Sequence, residues 1–373
     1  MSEAGAEGPP PRPGGPGVPR PDGLSASSPG GPGTSDTDDP GTPGRDGPGT
    51  SGSAGPASGS GGGAPRKRRR PLWLRVLQVA VAAAAVYFVA AYLVRSWSSI
   101  QDFEWSVQPG WLVLSGLAFL LFYFMQAVVW WLVLRGVAVQ TTLLTAAATW
   151  AKSIPARYIP GNVFMFVGRA WLSHDAGMPV DRVTAAMVYE QALGVCSALI
   201  TVGVLFPFWE YHPGATALAL LAIPVIVAML HPRVFAPLAG RALRLLHRPP
   251  LEVTVGFGAV ILLLVYFVAS WFVAGLGAWA LARSLTGLEV NALPVVVVAN
   301  ALAYVAGMVA FFIPSGIGVR EAVLTASLAK QLPGGVALVW ALVLRIWVTV
   351  VELAFVGIVV AVEAGVRRRR ARS

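Results

Sequence analysis

Charge is scarce in this chain. Asp, Glu, Lys and Arg make up only 12% of its 373 residues, about half the share of a typical soluble domain. With a mean hydropathy of +0.64 and 55% hydrophobic residues, that scarcity excludes a soluble enzyme. Cysteine is nearly absent. Cys196 stands alone, which excludes an internal disulfide and a cysteine-based zinc or iron–sulfur site. Lysine occurs only at Lys67, Lys152 and Lys330, and the four histidines (His174, His212, His231, His247) are scattered at no metal-ligand spacing. No GxxxxGK[ST] loop is present to cradle a nucleotide. No metal, cofactor or nucleic-acid partner is therefore expected.

Residues 1–65 lack aromatics altogether and consist mostly of Gly, Pro, Ser, Ala, Thr and Asp. Such a segment buries too little apolar surface to offset the entropy of ordering its backbone. The composition predicts a disordered tail over 1–70 that ends in the basic cluster Arg66-Lys67-Arg68-Arg69-Arg70, with no signal peptide. Residues 1–65 hold seven acids and three arginines, a net −4. The chain as a whole is +10, so the remainder carries +14. A membrane domain is expected over 71–366, followed by a basic tail over 367–373.

A helix needs about 20 mostly apolar residues to cross roughly 30 Å of hydrocarbon. Seven stretches qualify or come close: 72–94, 111–134, 183–206, 214–230, 254–282, 293–313 and 336–362. The intervening loops fix an orientation, because arginine and lysine are retained in the cytoplasm. Loops 135–182 and 231–253 are basic and face inward. Loop 95–110, with Asp102 and Glu104, faces outward. Both termini are strongly basic, so the number of crossings must be even. The eighth is assigned to 316–332, a short segment carrying Arg320, Glu321 and Lys330. The expected fold class is an all-α polytopic membrane protein, with about eight transmembrane helices and two broken or re-entrant segments. Both termini are placed in the cytoplasm and the protein in the cytoplasmic membrane.

The first broken segment is 141–172. Its apolar start is interrupted by Pro155 and by Ile159-Pro160-Gly161-Asn162, and Arg169 follows. Either a re-entrant hairpin or an amphipathic strip on the inner surface fits. The second reads Ile313-Pro314-Ser315-Gly316-Ile317-Gly318-Val319-Arg320-Glu321. Each is a Pro/Gly break followed by a weakly apolar helix with an early arginine. Paired interrupted segments mark substrate sites in transporters. A helix starting near Val319 would present free amides and a positive dipole end to an anion. Arg320 would add a fixed charge with the planar geometry that phosphate favours.

Ionisable groups inside a membrane are functional candidates by default. Arg345, Thr349 and Glu352 share one face of the last long helix. Their spacing of two turns predicts separate partners for Arg345 and Glu352, and Glu321 is placed to hold Arg320 or Arg345. Glu190, Gly194, Ser197 and Thr201 line a second helix, and Asn300, Tyr304 and Gly307 a third. The expected substrate-binding set is Arg320, Glu321, Gly316, Gly318, Pro314, Arg169, Asn162, Gly161, Arg345, Glu352, Glu190 and Asn300, with no catalytic residue.

The run from Ile313 to Ala322 resembles the P-G-G-x-G-x-R-E signature of the lysylphosphatidylglycerol synthase transmembrane, flippase-like family. Pro160-Gly161-Asn162, the Glu190 region and Arg345 are similar in order and spacing. Two departures stand out: Ser315 replaces a glycine, and Glu190-Gln191 stands where the family usually has Glu-Arg. The resemblance implies a lipid flippase moving an anionic or aminoacylated phospholipid, or a polyprenyl-phosphate-linked precursor. The chain stops at Ser373, so the family's aminoacyl transfer is not expected. The basic clusters would also attract anionic inner-leaflet lipids. Two other readings stay open. One is a polyprenyl-phosphate-sugar glycosyltransferase using Asp102 and Glu104. The other is a non-transporting partner of a cell-envelope enzyme.

Overall fold

A computed structural model describes residues 87, 90–158, 163–209, 213–231, 233–235, 237, 240–241, 256–310 and 316–372. Among these, every regular element is helical. Ten α-helices follow in order: α1 (Trp97–Gln101), α2 (Pro109–Gly136), α3 (Leu143–Ser153), α4 (Val163–Asp175), α5 (Val180–Trp209), α6 (Pro213–Met229), α7 (Phe257–Thr286), α8 (Leu293–Val309), α9 (Val319–Ser327) and α10 (Gly334–Arg370). Short 3-10 turns at Ile154–Tyr158 and Val290–Ala292 extend α3 and precede α8.

Among the described residues, five helices are long and apolar enough to cross a membrane: α2, α5, α7, α10, and α8 together with its leading turn. They correspond to the expected runs at 111–134, 183–206, 254–282, 336–362 and 293–313. Local chemistry sets several of their ends. Pro109 occupies the first turn of α2, where its missing N–H costs nothing. Gly287 closes α7 in the left-handed region, φ 68°, with its N–H on the Arg283 carbonyl. At 37 residues, α10 is about 55 Å long. It outruns the hydrocarbon and carries Arg367, Arg368, Arg369 and Arg370 beyond it.

The remaining expected crossings differ. The run at 72–94 lies mostly outside the described residues. That at 214–230 becomes α6, 17 residues with Pro224 inside and none of its residues buried. At about 25 Å it stands at the lower limit for a crossing, and it packs on α5. In 316–332 the helix is the nine-residue α9, about 14 Å long and too short to span alone.

Apolar packing is dense around α7, which touches α2, α5, α8 and α10. In lipid there is no hydrophobic force between helices, so small residues that admit close approach decide the interfaces. A Cβ added at Gly275 would stand 2.8 Å from the Val297 Cα of α8, and one at Gly277 would stand 3.0 Å from the Phe119 ring of α2. Ser115 of α2 donates to the Gly277 carbonyl at 2.7 Å and accepts the Trp347 indole N–H of α10 at 3.0 Å, tying three helices together. Gly275→Ala is expected to lower stability by about 1–3 kcal/mol, because the obstacle is backbone. Thermal unfolding of the purified protein in detergent checks this, and an unchanged midpoint contradicts it.

The first broken segment is packed into the bundle. Helix α3 lies against α2, α10 and α4, with Ala146, Ala148, Thr149, Trp150, Ala151 and Ser153 all buried. Thr142 caps it by accepting the Thr145 N–H at 3.2 Å. Trp150 sits in an aromatic cluster with Tyr123 and Phe355. Burial on three sides, rather than one, gives this short helix a fixed place beside α10.

Candidate functional site

Three ion pairs fasten the two broken segments to a single face of α10. Arg345, Glu352 and Glu363 lie at i, i+7 and i+18, nearly whole numbers of turns apart. The Arg345 Nη1 donates to Glu321 Oε1 of α9 at 2.5 Å. The Glu352 Oε2 receives Arg157 Nη2 from the turn after α3, at 3.1 Å, and the Tyr123 hydroxyl of α2 at 2.8 Å. The Glu363 carboxylate pairs with Lys152 of α3 and with Arg367. Arg345 and Glu352 thus have separate partners, as their two-turn spacing predicts, and of the two arginines open to it Glu321 holds Arg345.

The upper two pairs line a pocket of about 70 Å³. A water needs roughly 10–15 Å³ on this measure. The space therefore takes on the order of five waters. Its polar wall consists of Arg157, Asn300, Arg320, Glu321, Arg345, Thr349 and Glu352, and Leu324, Ala341, Leu344 and Val348 complete it. Glu321 and Glu352 are 3% and 1% exposed, so both carboxylates are removed from bulk water.

The start of α9 is built by glycine. Gly318 adopts φ 86° and precedes the helix at Val319, the expected starting point. Its N–H donates to Glu321 Oε2 at 2.6 Å. Glu321 therefore serves two groups at once, the helix start and Arg345, and the Gly318 amide is already engaged. Gly316, at φ 64°, lets the chain pass close to α8. A Cβ there would lie 3.0 Å from the Gly307 Cα, and one at Gly307 would lie 3.2 Å from the Arg320 side chain. The aliphatic stem of Arg320 runs along these two glycines, and its head reaches the pocket. Arg157, Arg345, Glu321 and Glu352 all hold partners. Arg320 makes no ion pair or hydrogen bond with any described residue.

Arg169 and Glu190 form a different cluster. The Arg169 Nη1 donates to Glu190 Oε2 at 2.5 Å, and its Nε to Ser153 Oγ at 3.1 Å. The Trp150 indole donates to Glu190 Oε1 at 3.0 Å. The guanidinium also stands over the rings of Trp130 and Trp150, at 4.9 and 5.7 Å. Arg169 is 2% exposed and Glu190 5%, and neither lines the pocket. Here Glu190 has its cation, although Gln191 follows it where the family usually places arginine. Gln191 instead accepts the Tyr304 hydroxyl at 3.3 Å.

Of the expected site residues, Arg320, Glu321, Arg345, Glu352 and Asn300 meet in the pocket, and Gly316 and Gly318 shape its α9 side. Pro314, Gly161 and Asn162 lie outside the described residues. The stripe of Gly194, Ser197 and Thr201 serves helix packing. Ser197 accepts the Trp271 indole N–H at 3.0 Å and donates to the Gly194 carbonyl, and Thr201 donates to the Ser197 carbonyl. Asp102 and Glu104 are exposed in the chain between α1 and α2, outside the pocket. No group of three or more His, Cys, Asp or Glu side chains suited to a metal occurs among the described residues.

Arg157 is the site residue that sequence reasoning missed. It reads as one more inward-facing loop charge, because its partner Glu352 is remote in sequence. The available signal was its position between Pro155 and Pro160, a cation inside a helix break.

A comparison with curated proteins returns no match. The profile of the lysylphosphatidylglycerol synthase TM region matches residues 75–356, which is 282 of the 373 residues and includes every residue lining the pocket. By that match the chain belongs to the lysylphosphatidylglycerol synthase TM region family.

Proposed function

We propose that this protein is a flippase that moves a lipid with an anionic headgroup across the cytoplasmic membrane. Its candidate cargo is an anionic or aminoacylated phospholipid, or a polyprenyl-phosphate-linked precursor. The observation that carries the reading is Arg320, a cation lining a polar pocket within an apolar bundle, which makes no ion pair or hydrogen bond with any described residue while its neighbour Glu321 is taken up by Arg345. A guanidinium in that setting needs a counter-charge, and a phosphate supplies it with matching planar hydrogen bonds.

In this mechanism the headgroup travels through the polar pocket while its acyl chains stay in the bilayer. Arg320 receives the phosphate. Arg157 and Arg345 stand ready beside it, each held by a carboxylate that a phosphate oxygen can replace. The domain spans 71–366, about eight crossings are counted, and 141–172 enters from the cytoplasmic side. Both basic termini lie in the cytoplasm, with the clusters at 66–70 and 367–372 against the anionic inner leaflet. Substrate contact is assigned to Arg320, Arg345, Glu321, Glu352 and Asn300, while Arg169 and Glu190 hold α3, α4 and α5 in register.

The test is lipid translocation in proteoliposomes. Headgroup-labelled phosphatidylglycerol and lysyl-phosphatidylglycerol are compared with phosphatidylcholine, for wild type and Arg320→Ala. The expected result is movement of an anionic-phosphate lipid over phosphatidylcholine, with the rate reduced at least tenfold in Arg320→Ala while the variant keeps its unfolding midpoint. A rate unaffected by Arg320→Ala overturns the assignment.

A further inference from the structure

The pocket contains five charged side chains: Arg157, Arg320 and Arg345 against Glu321 and Glu352. Their formal sum is +1. Both carboxylates are buried and engaged by arginines from a different segment of the chain. They act as built-in counter-ions. They leave the charge of one guanidinium to be balanced by whatever enters.

We propose that Glu321 and Glu352 set the charge of the accepted headgroup at one, selecting a phosphodiester monoanion over a phosphate monoester or a pyrophosphate. The inference rests on the lipid-headgroup reading of this pocket and narrows it. Desolvating a net charge is costly in a low-dielectric site, so between two headgroups a given pocket favours the one whose charge it cancels. A phosphodiester carries −1. A phosphate monoester carries about −1.5 to −2 at pH 7, and a pyrophosphate carries more. Either would leave excess negative charge among buried groups. An aminoacylated headgroup brings ammonium groups, and the two carboxylates that would receive them already hold Arg345 and Arg157.

Glu352 is the better lever for testing this, because the Tyr123 hydroxyl that bonds it can also bond a Gln side chain. Glu352→Gln raises the pocket to +2. Arg157→Gln with Glu352→Gln returns it to +1 and leaves neither partner charged. Thr349→Lys also gives +2 without removing any ion-pair member, and serves if Glu352→Gln fails to fold. The full-length protein in detergent is titrated with equimolar phosphatidylglycerol and phosphatidate of identical acyl chains at pH 8. The bound ratio is read by native mass spectrometry. Wild type is expected to favour phosphatidylglycerol. The ratio is expected to shift about tenfold toward phosphatidate in Glu352→Gln or Thr349→Lys. The double variant should return to within about twofold of wild type. A purely structural role for Glu352 would weaken both lipids together and would not be rescued by removing Arg157. An unchanged ratio in the +2 variants, or a double variant that keeps the shifted ratio, overturns the inference. If Arg320→Gln leaves binding of both lipids intact, the pocket is not the headgroup site and the underlying reading falls as well.

Discussion

Glu190→Ala is expected to be among the most damaging single substitutions in the bundle, costing about 3–5 kcal/mol. Arg169 is 2% exposed and is held by Glu190, by the Ser153 hydroxyl and by the faces of Trp130 and Trp150. Removing Glu190 leaves a cation in the interior with one neutral hydrogen bond and two indole rings. A lysine could respond by releasing its proton. An arginine cannot, since its side chain stays charged in proteins. The bundle must then admit water or let α4 move away from α5. The Trp150 indole loses its acceptor at the same time, which loosens α3. A fall of roughly 10 °C in the unfolding midpoint is expected. Arg169→Met with Glu190→Met is expected to recover most of that loss, because two apolar residues can replace a buried pair without an unpaired charge. The check is a double-variant cycle by thermal unfolding in detergent. A wild-type midpoint for Glu190→Ala alone would show that Arg169 does not depend on its partner.

The same cluster shows what the sequence could convey and where it stopped. The five long apolar runs were legible because a membrane span is a composition signal. Their ends agree within four residues, except that α10 continues to Arg370, eight residues past the expected 362. The start of α9 was legible too, since Gly318 at positive φ leads directly into Val319. Pairings between distant segments were harder. Arg169 follows a Pro/Gly break just as Arg320 does, and both read as anion sites. The structure distinguishes them by their neighbours: Arg169 pairs with Glu190 from α5, while Arg320 runs beside glycines and makes no ion pair with a described residue. Helical spacing separates Arg345 from Glu352 along α10 but does not identify what reaches them from elsewhere. Arg157 was the clearest loss, because a cation in a basic loop looks like a topology signal until Glu352 is seen beside it.

Glu321 has the second large expected effect, and it extends to function. Its carboxylate accepts the Gly318 N–H at 2.6 Å and the Arg345 Nη1 at 2.5 Å. Glu321→Ala removes a helix cap, typically about 1 kcal/mol, and leaves Arg345 without this carboxylate. Because Arg345 is about a quarter exposed, at 27%, water recovers part of that second loss. The total expected cost is about 2 kcal/mol. Glu321→Gln keeps an acceptor for the Gly318 amide and is expected to restore the cap alone. Both variants raise the pocket charge by one. If the pocket binds lipid phosphate, they should bind phosphatidylglycerol more tightly than wild type yet translocate it more slowly. Passage through a site requires that the occupant can leave as well as enter, and an added uncompensated cation deepens the well. Arg320→Ala should move binding in the opposite direction while also slowing transport. Affinity and rate measured together in one set of proteoliposomes separate these cases. Weaker binding in Glu321→Gln would show that Glu321 supports the site through shape rather than charge.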